Sequence, residues 1–129
     1  MLRLAFPTAL FALLAACVTT EPTSEENRTL EFNCQETVVI GKLTNEETYE
    51  RVPIENDLIG HGWMEATLHV RRTVHGAKIS GDVPIRYFGH TYIREDRSFM
   101  FVLSHDETGY EIEIGQLMSV GPKAVSVCR

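Results

Sequence analysis

The sequence predicts an all-β protein, a small antiparallel barrel or sandwich of five to six short strands with room for at most one short helix. Three observations carry this expectation. Beyond residue 30, apolar and polar residues alternate with a period of two; β-branched and aromatic residues concentrate in the alternating runs; and glycine- or asparagine-containing turns separate them.

The first strand is read at 36–43, Glu36-Thr37-Val38-Val39-Ile40-Gly41-Lys42-Leu43, closed by the turn-like Thr44-Asn45. Residues 48–58 are polar and broken by Pro53, so they read as a connection. After Gly60-His61-Gly62 comes the longest run, 63–74, in which Ala66, Leu68 and Val70 share one face and Thr67, His69 and Arg71 the other. Arg71-Arg72 shifts that alternation, which suits a β-bulge and is expected to return Val74 inward. His75-Gly76 makes a turn, and Ile79-Ser80-Gly81 leads into 83–88, where Val83, Ile85 and Tyr87 share a face. Pro84 has no N–H to give a ladder, so an edge or bulge position is implied. Runs at 98–103 and 109–115 form a hairpin around Asp106-Glu107-Thr108-Gly109, and 123–128 is the last strand. A short helix fits only at 115–119 or 91–96. No repeat and no second domain is visible.

Residues 1–16 are of another kind. Arg3 is followed by an apolar stretch to Leu14, interrupted by Pro7 and Thr8, and then by small residues before a cysteine, the pattern of an export signal. Leu14-Ala15-Ala16-Cys17 resembles the bacterial lipobox. The resemblance implies cleavage before Cys17, diacylglycerol on its thiol, and an acylated new amino terminus, enough for stable anchoring. An ordinary cleaved secretory signal is the alternative; a membrane-spanning helix needs about 20 apolar residues, more than this stretch holds. Val18, where inner-membrane retention would favour Asp, points to the outer membrane and a periplasm-facing domain in the cell envelope. Residues 17–30 then read as a lipidated flexible tether, rich in Thr, Glu and Ser, and 31–129 as the folded domain.

Removing 16 of the 129 residues leaves 113, with 11 basic side chains once Arg3 is gone against 18 acidic ones. That acidic balance opposes nucleic acid as a partner. With Cys17 given to lipid, Cys34 and Cys128 remain in an oxidising compartment, and a disulfide between them is expected, two unpaired thiols being the alternative. Such a bond closes a loop of about 90 residues, worth roughly 4 to 5 kcal/mol on the chain-entropy account.

Within the strand pattern, Cys34 before Val38-Val39-Ile40-Gly41-Lys42-Leu43, the run from Ala66 to Gly76, and Val83-Pro84-Ile85-Arg86-Tyr87 resemble the netrin and tissue-inhibitor-of-metalloproteinases class of OB-fold (oligonucleotide/oligosaccharide-binding) barrels. The resemblance covers about half of the mature chain and implies an OB-like barrel. The inhibitors of that class chelate zinc through a cysteine with a free amine; here Cys17 would be acylated and Cys34 is internal, so that chemistry does not transfer.

Candidate chemistry is sparse. Ser104-His105-Asp106 has triad residue types, but strand neighbours point to opposite faces. The histidines at 61, 69, 75, 90 and 105 show no zinc-type spacing, so no metal or other cofactor is expected. The densest unusual segment is Arg86-Tyr87-Phe88-Gly89-His90-Thr91-Tyr92-Ile93-Arg94, with Gly60-His61-Gly62-Trp63 as a neighbour. Alternation assigns Tyr87 to the core and leaves His61, Trp63, Arg86, Phe88, His90, Tyr92 and Arg94 as a candidate binding surface. The reading is therefore a noncatalytic binding or structural module contacting an envelope protein or glycan. The alternatives are a small hydrolase or metal-dependent enzyme built on His61 and His90, and a protease-inhibitor-like module.

Overall fold

The computed structural model describes residues 28–128. The expected export segment, the expected lipidation at Cys17 and the expected tether as far as residue 27 fall outside the described residues. Seven strands follow in chain order: β1 (Thr29–Phe32), β2 (Thr37–Arg51), β3 (Gly62–His75), β4 (Gly81–Gly89), β5 (Phe99–Asp106), β6 (Gly109–Leu117) and β7 (Lys123–Ser126). Met118–Val120 forms a 3-10 turn, and 91–96 is a loop without helix.

The expected small all-β barrel is present. Its five strands close in the order β2-β3-β4-β6-β5, with β5 returning to β2. One qualification concerns strand direction: β4 meets β6 in parallel, through Ile85–Tyr110, Arg86–Glu111 and Tyr87–Ile112, so the barrel is mixed and not purely antiparallel. The loop between β4 and β5 makes this possible by carrying the chain past β6 before the β5–β6 hairpin folds back. Pro84 lies one residue short of that parallel pairing, where β4 is an edge on its β6 side, as its missing N–H requires.

Two apolar layers explain why some runs are buried on both faces. Val39 and Leu43 of β2 and Phe101 and Leu103 of β5 point into the barrel with Met64, Leu68, Ile85 and Tyr87. The residues between them, Val38, Ile40, Met100 and Val102, point outward, yet they are buried under Leu30 and Phe32 of β1. β1 pairs in parallel with β7 to form a two-stranded flap over the barrel wall. Cys34 and Cys128 follow the two flap strands at disulfide distance, Cα atoms 5.2 Å apart, and join its ends as expected.

Three local expectations change. Thr29 and Leu30, read as the end of the tether, belong to β1, and Leu30 is wholly buried; a strand of four residues is too short to show a period. β2 continues beyond Leu43 to Arg51, because Tyr49, Glu50 and Arg51 pair with Met64, Trp63 and Gly62 while their side chains stay in solvent. Val74 turns to the outer core with Leu30 and Phe32, not into the barrel. The bulge at the arginines is there: Ile40 opposes Arg72 and Gly41 opposes Val70, leaving Arg71 without an opposite residue.

If β1 belongs to the cooperative fold, Leu30→Ala should cost about 2–5 kcal/mol, the usual range for emptying a buried leucine site. Urea unfolding reads this directly, and a cost near zero would return Leu30 to the tether.

Candidate functional site

The register of β3 on β4 decides what the barrel presents outward. With Met64, Ala66 and Leu68 of β3 and Ile85 and Tyr87 of β4 inside, alternation sends Trp63, Glu65, Arg86 and Phe88 to the outer face. Trp63 stands opposite Phe88, and Glu65 opposite Arg86. The Trp63 and Phe88 rings meet at 5.2 Å and 60°, the edge-on geometry that ring quadrupoles favour. The Arg86 guanidinium lies 4.6 Å from the Trp63 ring centre and donates to Glu111 of β6 at 3.1 Å, with Asp106 at 3.8 Å. On the other side Phe88 stacks on His61 at 5.8 Å, and His61 meets His90 edge-on at 5.1 Å.

Five of the seven candidate residues thus form one ladder, running His90, His61, Phe88, Trp63, Arg86. The other two, Tyr92 and Arg94, do not join it. Arg94 donates to both carboxylate oxygens of Asp96, at 3.0 and 2.6 Å, and with Tyr92 it borders a different groove beside Asn45, Glu46 and Glu47. The cause is the buried Tyr87 hydroxyl, which donates to Asn45 at 2.5 Å and accepts the Ile93 N–H at 3.2 Å, turning the β4–β5 loop toward β2. Burial also raises the Tyr87 pKa, so this hydroxyl keeps its proton.

The acidic wall of the site does not show in the sequence pattern. Asn45 opposes Ala66 and Tyr49 opposes Met64, so Glu46, Glu47 and Thr48 stand against the single residue Glu65. This irregular stretch brings Glu46 beside Glu65 and Arg86, and Tyr49, Glu50, Trp63, Glu65 and Arg86 line a groove of about 490 Å³. β2 crosses so close to the start of β3 that a Cβ at Gly62 would run into the Glu50 carbonyl oxygen. Exposed strand residues carry no alternation, so only the Gly62 position hinted at the crossing.

The loop from Val52 to His61 is held from within. Asp57 accepts the Gly60 N–H at 3.0 Å and the His61 N–H at 2.6 Å, and faces His61 Nδ1 at 3.1 Å. Gly60 sits at φ 80°, and its carbonyl accepts the Tyr49 hydroxyl at 2.5 Å. The His61 N–H above all, with the Gly60 N–H and the His61 ring, draws the Asp57 pKa down to about 2. The clamped loop holds Ile54, Leu58 and Ile59 in solvent, Leu58 at 97 % exposure. These three aliphatic side chains stand in the loop that leads into His61.

The enzymatic alternatives gain little from this geometry. Ser104 donates to Glu113, Asp106 holds Thr108, and His105 packs on Tyr110, so the three go separate ways. His61 and His90 do meet, and the His61 ring also faces Asp57 and stacks on Phe88. Among the described residues no group of three or more His, Cys, Asp and Glu side chains is placed to hold a metal ion. Comparison of the chain with protein-family models, with curated proteins and with solved structures finds no match.

Asp57→Ala should speed amide exchange at Gly60 and His61 about fivefold or more, since both N–H groups lose their acceptor. In the unaltered protein the folded pKa lies below the ordinary 3.8. The clamp's contribution is therefore complete above that value and fades as pH falls toward about 2. Exchange corrected for its intrinsic pH dependence should accelerate at those two amides only in that window; acceleration near neutrality would contradict the clamp.

Proposed function

We propose that the chain is a noncatalytic binding module of the bacterial envelope, anchored to the outer membrane through lipid on Cys17, whose β3–β4 face docks on another envelope protein. Anchoring rests on the lipobox-like Leu14-Ala15-Ala16-Cys17 and the choice of membrane on Val18. The observation that carries the binding reading is the outward ladder of His61, Trp63, Arg86, Phe88 and His90, built on a rigid sheet. Barrels of this architecture bind ligands across their second and third strands and the flanking loops. In this barrel those strands are β3 and β4, the flanking loops being the Asp57 loop and the β5–β6 turn.

A protein partner fits this face better than a glycan. Ile54, Leu58 and Ile59 expose aliphatic side chains in the loop that leads into His61, and aliphatic surface gains by meeting apolar surface that sugars lack. Glu46, Glu50 and Glu65 along the groove favour basic residues at the partner's rim. Trp63 and Arg86 are of the residue types that dominate binding energy at such centres.

A photo-crosslinking residue placed at Leu58 in intact envelopes should trap one protein, and its affinity for the purified chain should fall on the order of 30-fold with Trp63→Ala, as for an interface hot spot. Retention on envelope glycan with no protein crosslink would move the reading to the glycan, and an unchanged affinity in the Trp63 variant would remove the ladder from the interface. Mass analysis of the mature chain should show diacylglyceryl on Cys17; a bare chain starting elsewhere would remove the anchor.

A further inference from the structure

The charge of this acidic chain is unevenly spread. From Ala66 to Gly81 there is no Asp or Glu, while Arg71, Arg72 and Lys78 fall within those residues together with His69 and His75. His69 is occupied, with Nδ1 at 2.7 Å from Asp82 and Nε2 at 2.8 Å from Thr44. Arg71, Arg72 and Lys78 make no ion pair among the described residues.

Consecutive residues of a regular strand would send Arg71 and Arg72 to opposite faces. The bulge prevents that. Arg72 opposes Ile40, whose side chain is on the outer face, and Arg71, having no opposite residue, lines the same groove as Arg72, Ile40, Ser98 and Met118. The groove measures about 350 Å³. Both arginines also border the adjoining hollow lined by His75, Lys78 and Ser80. Arg71, Arg72 and Ser98 lining one groove supply guanidinium and hydroxyl groups, the chemistry that takes phosphate oxygens.

We infer that the Arg71–Arg72 groove binds a phosphate-bearing lipid headgroup of the membrane to which the chain is anchored. Position selects the headgroup over a soluble phosphate. Leu30, close to where the chain leaves toward Cys17, packs in the cluster that contains Ile40 and Met118, two of the residues lining the groove. The residues between Cys17 and Arg28 span at most about 40 Å when extended, so an anchored domain keeps this face within reach of the bilayer. Nucleic acid remains unsuited, because a long polyanion would also run over the acidic remainder of the surface, whereas a single headgroup meets only the groove. The choice of headgroup rests on the anchored reading of Cys17; the groove itself does not.

The test uses the full chain carrying Cys17→Ser, so that no acyl chain contributes, in co-sedimentation with vesicles of phosphatidylcholine alone or mixed with phosphatidylglycerol. Residues 1–16 carry Arg3 and the terminal amine, so each arginine variant is read against the unaltered groove on the same vesicles, which cancels whatever that segment adds. Phosphatidylglycerol should raise binding, and Arg71→Gln with Arg72→Gln should remove on the order of 25-fold, fivefold for each basic residue at an anionic surface. Arg94→Gln, whose guanidinium is held by Asp96, should keep the preference. Equal binding to the two vesicles, or a preference undiminished by loss of both arginines, would overturn the inference. So would chemical-shift changes at Arg71 and Arg72 with inorganic phosphate but no vesicle preference, which would make the ligand a soluble anion. Failure here is distinct from failure of the anchor, which mass analysis reads at Cys17.

Discussion

Everything this protein presents to its surroundings depends on the register of β3. Its side-chain period is two, so a slip of one residue against β4 would bury Trp63 and expose Met64, Ala66 and Leu68. The register is fixed by burial: those three residues, with Ile85 and Tyr87 opposite, occupy the barrel interior. Along the first half of the strand the outward residues are therefore Trp63, Glu65, Thr67 and His69. At Arg71 the bulge resets the count, and Arg71 and Arg72 line one groove. A second irregularity, where Val38 opposes His75 and Val39 opposes Thr73, brings Val74 to the outer core and His75 against Phe32. One strand thus carries an aromatic surface toward one end and a cationic one toward the other.

The sequence made the barrel legible where burial was one-sided. Ala66, Leu68, Ile85 and Tyr87 alternate cleanly, and the bulge could be read from Arg71-Arg72 breaking that alternation. What stayed hidden had no period to show. β1 is four residues long and contributes only Leu30 and Phe32 to the core. The outer half of β2 has no buried side chain, its strand character coming from backbone pairing with β3. The parallel β4–β6 contact is a property of chain path, which local pattern does not encode.

The candidate surface was legible to a similar depth. Trp63, Arg86 and Phe88 follow from alternation on two strands, and His61 and His90 from their places at the strand ends. Tyr92 and Arg94 were drawn in by sequence proximity, but the Tyr87 hydroxyl turns their loop toward Asn45. The acidic flank from Glu46 to Glu50 arrives from a strand distant in sequence, and only the closeness of Gly62 to the Glu50 backbone marks where it crosses. A surface assembled across strands shows in one strand's sequence only in part.

The most direct measurement is the set of cross-strand backbone contacts along β3 by NMR in the isotope-labelled chain. The account predicts contacts pairing Trp63 with Phe88, Glu65 with Arg86 and Arg72 with Ile40, and none placing a residue opposite Arg71. A continuous register through the arginines, or one pairing Trp63 with Tyr87 or Gly89, would contradict it, since the ladder and both arginines would then no longer share the outer face.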